Sequence, residues 1–154
     1  MIHPRPLAPS DLDAILAIAA ASPEASAWTC ADYEQFLQET YPAACLVAEQ
    51  EGMVVGFICF RFMSDEAEVL NLAVIPSARR RGVASRLLAE VIRQAHERGA
   101  RRMFLEVRDT NQPATLFYER SGFRISARRR GYYASPPADA LVLARDLTLQ
   151  DPAT

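Results

Sequence analysis

The chain has 154 residues, of which 50% are apolar and 23% are charged, and its formal net charge at pH 7 is -2. This length and composition predict one domain with one hydrophobic core. Positive and negative residues are interspersed, so a general nucleic-acid-binding protein, which carries a basic surface, is not expected. No stretch has the apolar length of a membrane-spanning helix, and the N-terminus lacks the apolar segment of a signal peptide.

The cysteines and histidines are too scattered to predict a metal site. Cys30, Cys45 and Cys59 share no Cys-x-x-Cys spacing, and His3 and His96 have no ligand-like neighbours. Unpaired thiols, two of them in apolar runs, are typical of a reduced protein of the cytoplasm. We therefore expect a cytoplasmic protein that binds no metal, no nucleic acid and no membrane.

The first part of the chain predicts a short strand, two helices and a β-hairpin. Apolar residues recur at helical spacing after Ser10, and alternation around the turn Glu51-Gly52 indicates the hairpin. The predicted elements are a strand at 2–7, a helix capped by Ser10 and ended by Pro23, a helix from Thr29 to about Thr40, and strands at 44–50 and 53–62.

The second part predicts alternating strands and helices, followed by two strands. The predicted elements are a strand at 67–75, a helix at 82–98 ended by Gly99, a strand at 102–107, a helix from Asn111 to Gly122, and strands at 123–130 and 139–147 joined by a loop that contains Pro136 and Pro137. A polar tail follows Leu149. The strand–helix–strand order over 67–107 predicts a right-handed parallel crossover, and ligands of such sheets bind at the carboxyl ends of the strands.

The turn between the strand at 67–75 and the next helix contains Arg79-Arg80-Arg81-Gly82. Glycine lets backbone approach a ligand closely, and a helix N-terminus offers unpaired N–H groups and partial positive charge. This pattern is typical of a cradle for phosphate oxygens, although an ordinary turn with exposed arginines has it too. The segment contains neither Gly-Lys-Ser/Thr nor Gly-x-Gly-x-x-Gly, which argues against a Walker loop and a dinucleotide fold.

Three polar residues follow at the carboxyl end of the strand at 102–107. Glu106 lies in this apolar strand, Asn111 begins the next helix, and Tyr118 lies two turns further along the same helix face. Taken singly, each has an ordinary explanation: a salt bridge to Arg108 or to another arginine for Glu106, and a core position for Tyr118.

Two segments resemble signatures of the GNAT acyltransferases. Arg79-x-x-Gly82-x-Ala84 resembles the pyrophosphate loop of that family, and residues 105–123 resemble its second signature, with Leu-Glu-Val-Arg, then Asn, Ala, Tyr-Glu and Gly-Phe. The resemblance covers about residues 44–147. It implies a single GNAT domain over 1–154, of class α/β (α+β), with a mixed, mostly antiparallel sheet of about seven strands, a splayed parallel pair and about four helices.

The resemblance also implies site residues. Acetyl-coenzyme A would be the cosubstrate, Glu106 the base that takes the amine proton directly or through water, and Tyr118 the acid that protonates the leaving thiolate. A backbone N–H on the strand that ends at Val74 would hold the oxyanion. The implied cofactor-binding residues are Leu72, Ala73, Val74, Arg79, Arg80, Arg81, Gly82, Val83, Ala84, Ser85, Asn111 and Tyr118.

Within the family, the chain most resembles the RimI-type ribosomal-protein alanine N-acetyltransferases. The resemblance lies in residues 70–74, 105–108, Tyr132-Tyr133 and Trp28-Thr29, whereas the loop at 134–139 differs. It implies a protein N-terminus as acceptor, with a ribosomal protein as one candidate. The implied acceptor-side residues are Trp28, Asn71, Tyr132 and Tyr133.

Other functions are open at this point. Packing at a sheet edge explains the aromatic residues Trp28, Tyr132 and Tyr133 as well as contact with an acceptor does. The chain could acetylate a small amine, or it could bind coenzyme A as a sensor without transferring a group. Both a monomer and a homodimer are compatible with the sequence.

Overall fold

A computed structural model of the chain describes residues 1–22 and 28–148. Within these residues, seven strands form one mixed sheet in the order β1-β2-β3-β4-β5-β7-β6, accompanied by four α-helices, as predicted. The strands are β1 Ile2–Pro6, β2 Ala44–Gln50, β3 Met53–Met63, β4 Glu66–Val74, β5 Arg102–Arg108, β6 Arg124–Ala134 and β7 Pro137–Asp146. The helices are α1 Leu12–Ala20, α2 Cys30–Glu34, α3 Val83–Glu97 and α4 Gln112–Arg120.

The sheet is mostly antiparallel, with β4 and β5 as a parallel pair. The splay of that pair stays a prediction. The predicted ending of the first helix at Pro23 and the polar tail after Leu149 lie outside the described residues. None of the helices within the described ranges is long and apolar enough to cross a membrane.

The chain divides into two compact units, so the single domain expected over 1–154 stays a prediction. The first unit comprises residues 1–61 and 70–94, and the second comprises 62–69 and the described residues from 95 onward. The first unit has a core in which α1 buries Ile15 and Ile18, three residues apart on one helix face, against Tyr33, Val47 and Phe57.

The strand β1 contains two prolines and still pairs with β2. It lies at one edge of the sheet, where a residue without an N–H is tolerated, and Pro4 pairs with Ala48 and Pro6 with Leu46. The β2–β3 turn is confirmed at Glu51-Gly52, with φ of 52° and 78°, the left-handed pair that suits a tight hairpin.

Two helix predictions for the first unit were inaccurate. Ser10 is not the cap of α1, because a 3₁₀ turn at Pro9–Asp11 precedes the helix and the Asp11 carboxylate accepts the Ala8 N–H at 2.8 Å. The second helix is shorter than predicted. Thr29 caps it and accepts the Asp32 N–H, but after Glu34 the chain tightens into a 3₁₀ turn and Gln38 is already extended. The nearby Pro42 also disfavours helix in the residue before it.

The last two strands, in the second unit, are longer than predicted. Instead of a loop over 131–138, β6 continues to Ala134 and meets β7 in a tight turn at Ser135-Pro136. A bulge between Arg129 and Tyr133, with Gly131 at φ 62°, absorbs the extra residues of β6. Because a bulge interrupts the alternation of side chains, the pattern of residues did not reveal the continuing strand.

Candidate active site

The turn between β4 and α3 forms an open backbone cradle. After a 3₁₀ turn at Pro76–Ala78, Arg80 and Gly82 adopt left-handed φ values of 65° and 83°, and a Cβ added to Gly82 would meet no atom within 4 Å. The first hydrogen bond of the helix runs from the Arg86 N–H to the Gly82 carbonyl, at 2.9 Å. The N–H groups of Val83, Ala84 and Ser85 therefore have no acceptor within the helix. The cradle can therefore receive an anion.

The side chain of Arg79 is bound by the protein itself. Its guanidinium donates to the carbonyl of Val74 at 3.2 Å, to the Oγ of Ser22 at 3.0 Å and to the carbonyl of Ala21 at 3.3 Å. Ser22 is buried and donates in turn to the Ile18 carbonyl at 2.9 Å. Arg79 thus ties the turn to the end of α1, and its binding of the cofactor stays a prediction.

Two residues around the cradle were missed by the sequence reasoning. Ser22 gives no local signal, because its partner Arg79 is far away in the chain. Gly56, within β3, has a detectable signal, since a glycine inside a strand often marks a close approach of backbone. A Cβ there would lie 3.0 Å from both the Ala73 carbonyl oxygen and the Cγ1 of Val83. Gly56 therefore allows β3 to pass close to the end of β4 and the start of α3.

The predicted cofactor-binding residues of β4 are largely covered by protein. Ala73 and Val74 are buried, and Leu72 is half-buried. In contrast, Arg80 and Arg81 in the turn are exposed, as is Ser85 in the first turn of α3. The exposed part of the predicted cofactor site is therefore the turn and the helix start rather than the strand.

Asn71 and Trp28, predicted on the acceptor side, contribute to the core of the first unit. The Nδ2 of Asn71 donates to the Tyr33 hydroxyl at 3.1 Å, and its Oδ1 accepts the Leu72 N–H at 3.1 Å. Trp28 packs against Tyr33 and Phe36, with ring centroids 5.3 and 5.7 Å apart. These contacts give both residues a structural role, and their contact with an acceptor stays a prediction.

Glu106, in the second unit, is the centre of a polar cluster. Its side chain is 17% exposed, and its Oε1 lies 3.2 Å from the Nε of Arg129. The Tyr132 hydroxyl donates to the same carboxylate, which raises the pKa of Tyr132. The expected salt bridge is therefore present, with Arg129 as the partner.

Arg108 has a different role in this cluster. It donates to the carbonyls of Pro136 at 2.7 Å and Ser135 at 3.2 Å, and its guanidinium carbon lies 4.3 Å from the centre of the Tyr133 ring. Arg108 therefore stabilises the β6–β7 turn and positions Tyr133. Since Tyr133 packs edge-on against Tyr132, the two predicted acceptor-side tyrosines lie together near Glu106.

Asn111 and Tyr118 lie at the two ends of α4. The Oδ1 of Asn111 accepts the Ala114 N–H at 3.2 Å as the helix cap, which leaves its Nδ2 to donate to a ligand. Tyr118 is 5% exposed between Phe117 and Phe123, and burial raises its pKa, so the phenol keeps its proton. Among the described residues, the Tyr118 hydroxyl has no hydrogen-bond partner.

Within the described part of the chain, no three His, Cys, Asp or Glu residues are placed so that they could hold a metal ion. The polar groups of the two units are instead backbone N–H groups, a paired carboxylate and protonated phenols. Such groups bind anions and transfer protons.

The chain is similar in sequence to known acetyltransferases. Residues 12–123 match the model of the acetyltransferase (GNAT) family. A Bacillus subtilis protein, provisionally named as a ribosomal protein bS18-alanine N-acetyltransferase, is 32% identical over 133 residues, which is 86% of this chain and 87% of the relative. The Escherichia coli K12 enzyme of that name is 33% identical over 102 residues, or 65% of this chain and 69% of the relative.

Solved structures agree with the sequence matches. The Escherichia coli ribosomal-protein-S18-alanine N-acetyltransferase has a TM-score of 0.82 at 28% identity. The match covers 100% of this chain and 99% of the Escherichia coli chain. Ard1 from Thermoplasma volcanium has a TM-score of 0.83 at 30% identity. The match covers 94% of this chain and 97% of the Ard1 chain. The chain belongs to the GNAT family of acetyltransferases.

Proposed function

We propose that the protein transfers the acetyl group of acetyl-coenzyme A to the N-terminal α-amino group of a protein. The relatives named as bS18-alanine N-acetyltransferases support this acceptor, and a ribosomal protein is accordingly the first candidate. The observation that carries the proposal is Glu106, a largely buried carboxylate oriented by Arg129 and Tyr132. A carboxylate so placed is suited to accept a proton from an amine.

The residues of the first unit fit the diphosphate of the coenzyme. Gly82 leaves open space in front of the first turn of α3, where backbone N–H groups and the helix dipole favour negative charge. The exposed side chains of Arg80 and Arg81 add positive charge to the same turn. We assign the amides of Val83, Ala84 and Ser85 as the donors.

The residues of the second unit fit the proton transfers. Acetyl-coenzyme A supplies the acetyl thioester when bound. Glu106 accepts the proton that the amine loses, and Tyr118, kept protonated by burial, donates a hydrogen bond or a proton to the departing sulfur. The free Nδ2 of Asn111 is the donor that we assign to the pantetheine arm.

The proposed acceptor agrees with a carboxylate as the base. A peptide α-amino group has a pKa of ~7.7–8.0, whereas that of a lysine side chain is ~10.4. A considerable part of the terminal amine is therefore neutral at physiological pH, and a carboxylate needs only to remove a proton as the new bond forms. The same base is poorly matched to a lysine ammonium.

The test is an acetylation assay with short peptides and free amines. Peptides that begin with alanine or serine should be acetylated faster than amino acids, polyamines or aminoglycosides, and Glu106→Gln should lose most turnover while still binding the coenzyme. A preference for small amines would instead support a small-molecule acetyltransferase. Binding of acetyl-coenzyme A with no acetylation of any amine would support a sensor. The cytoplasmic location and the monomeric or homodimeric state stay predictions.

A further inference from the structure

Residues that share one face of the β5–β7–β6 ribbon explain how Arg129 reaches Glu106. On the central strand, Ala140 pairs with Arg108 of β5 on one side and with Arg129 of β6 on the other. Paired residues point to the same face, and Glu106 lies on it because it is two positions from Arg108. Since Ala140 has only a methyl group, the Arg129 side chain passes over β7 and meets the Glu106 carboxylate two strands away.

Three further charged residues, Glu68, Arg108 and Arg129, lie on the face that carries Glu106. Glu68 of β4 pairs with Phe104, two positions before Glu106, and its charge acts on Tyr132 together with that of Glu106. Arg108 is bound to the carbonyls of the β6–β7 turn. Arg129 forms the ion pair with the Glu106 carboxylate, at 3.2 Å.

This pairing affects amines differently according to their charge. A positively charged amine is attracted by a lone carboxylate, but much of that attraction disappears where a guanidinium already balances the carboxylate. A neutral amine loses nothing by the presence of the guanidinium. Lysine side chains arrive almost entirely as ammonium ions, whereas a peptide N-terminus is partly neutral.

We propose that Arg129 is a specificity-determining residue, which offsets the charge of Glu106 and thereby favours N-terminal α-amines over lysine side chains. This inference rests on the proposed function, because it concerns the acceptor of the same transfer. In that transfer the amine nitrogen forms a bond to the acetyl carbon, the carbon–sulfur bond breaks, and the nitrogen's proton goes to Glu106. Removal of the guanidinium leaves Glu106 without this ion pair, so its carboxylate attracts an ammonium ion more strongly.

The experiment compares two peptides. One begins with alanine and contains no lysine, and the other has a blocked N-terminus and a single lysine. For each enzyme variant, kcat/KM is measured for both peptides. The readout is kcat/KM for the lysine peptide divided by kcat/KM for the alanine peptide. In Arg129→Ala and Arg129→Gln, the ratio should rise about three- to fivefold, the upper part of the range expected for an exposed ion pair. Arg129→Lys, which keeps the charge, should stay within about twofold of the unchanged enzyme.

The matched control is Arg130→Ala, which removes a charge from the neighbouring exposed residue without touching Glu106. Its ratio should not change. An unchanged ratio in both Arg129→Ala and Arg129→Gln, with coenzyme affinity and melting temperature intact, would overturn the inference. An equal change of the ratio in Arg130→Ala would also overturn it, because the effect would then come from general surface charge rather than from the ion pair with Glu106. Failure of the proposed function looks different: the unchanged enzyme would then acetylate no peptide N-terminus at all.

Discussion

Arg79 donates a hydrogen bond to the buried hydroxyl of Ser22 at 3.0 Å and so joins the turn before α3 to the end of α1. The arginine that the family resemblance assigns to the coenzyme thus also stabilises the fold. The same side chain binds the Val74 carbonyl at the end of β4. Arg79 therefore fixes the shape of the cradle and, because these partners are neutral, keeps its positive charge there.

Arg79→Ala is therefore expected to reduce stability as well as coenzyme affinity. The change leaves a buried serine and two carbonyls without their charged donor, which costs about 1–3 kcal/mol of the free energy of unfolding. Urea unfolding and calorimetry with acetyl-coenzyme A measure the two effects. The control is Arg80→Ala, whose exposed side chain should weaken coenzyme binding at low salt and leave stability unchanged. Equal stability of both variants would contradict the role of Arg79.

Gly82→Val is expected to abolish most coenzyme binding by filling the cradle. The left-handed φ of 83° adds backbone strain of about 1–3 kcal/mol, but the new Cβ meets no protein atom within 4 Å. Gly99→Val is a matched control, since Gly99 has φ 75° and equally open surroundings at the other end of α3. Both variants should lose similar stability in urea unfolding, and calorimetry should show loss of acetyl-coenzyme A affinity only for Gly82→Val.

Tyr118→Phe is expected to bind acetyl-coenzyme A normally and to turn over at least about tenfold more slowly, because it lacks the proton donor. Steady-state kinetics and calorimetry separate the two effects. Stability should change little at neutral pH, since no described residue bonds the hydroxyl. Unchanged turnover would show that another group protonates the sulfur.

The same variant should alter stability at alkaline pH. Burial raises the pKa of Tyr118 in the folded state, whereas in the unfolded chain tyrosine ionises near a pKa of about 10. Above that value the unfolded state loses the proton and the folded state retains it, so stability falls as pH rises. Urea unfolding between about pH 9 and 11 should show a shallower fall for Tyr118→Phe than for the unchanged protein.

Asp11→Asn is expected to destabilise the first unit at neutral pH. The Asp11 carboxylate accepts two bonds from Arg5, at 2.8 and 3.0 Å, and these lower its pKa. The stabilisation is present above the ordinary aspartate pKa of about 3.9 and is lost as pH falls through the lower pKa of the folded state. The difference from the unchanged protein, about 1–3 kcal/mol at pH 7, should shrink on acidification in urea unfolding.

Elements with strong local signals were predictable from the sequence. Glu51-Gly52 forms the β2–β3 turn as expected, and Gly99 ends α3 in a left-handed conformation. Asn111 caps α4 ahead of Pro113, where proline belongs in a first helical turn. The predictions for Ser10, for the second helix and for the β6–β7 loop were inaccurate, because competing caps, a 3₁₀ turn and a bulge override the local pattern.

The sequence by itself determined the order of the elements and the family. It also identified Glu106 and Tyr118 as polar residues in apolar surroundings. These properties depend on periodicity and on residues near one another in the chain. Only the tertiary structure decided the partners of those residues. Glu106 meets Arg129 because Ala140 leaves room across β7, and Arg79 meets Ser22 because α1 ends beside the turn. Such partners follow from sheet order, register and packing, which no local pattern encodes.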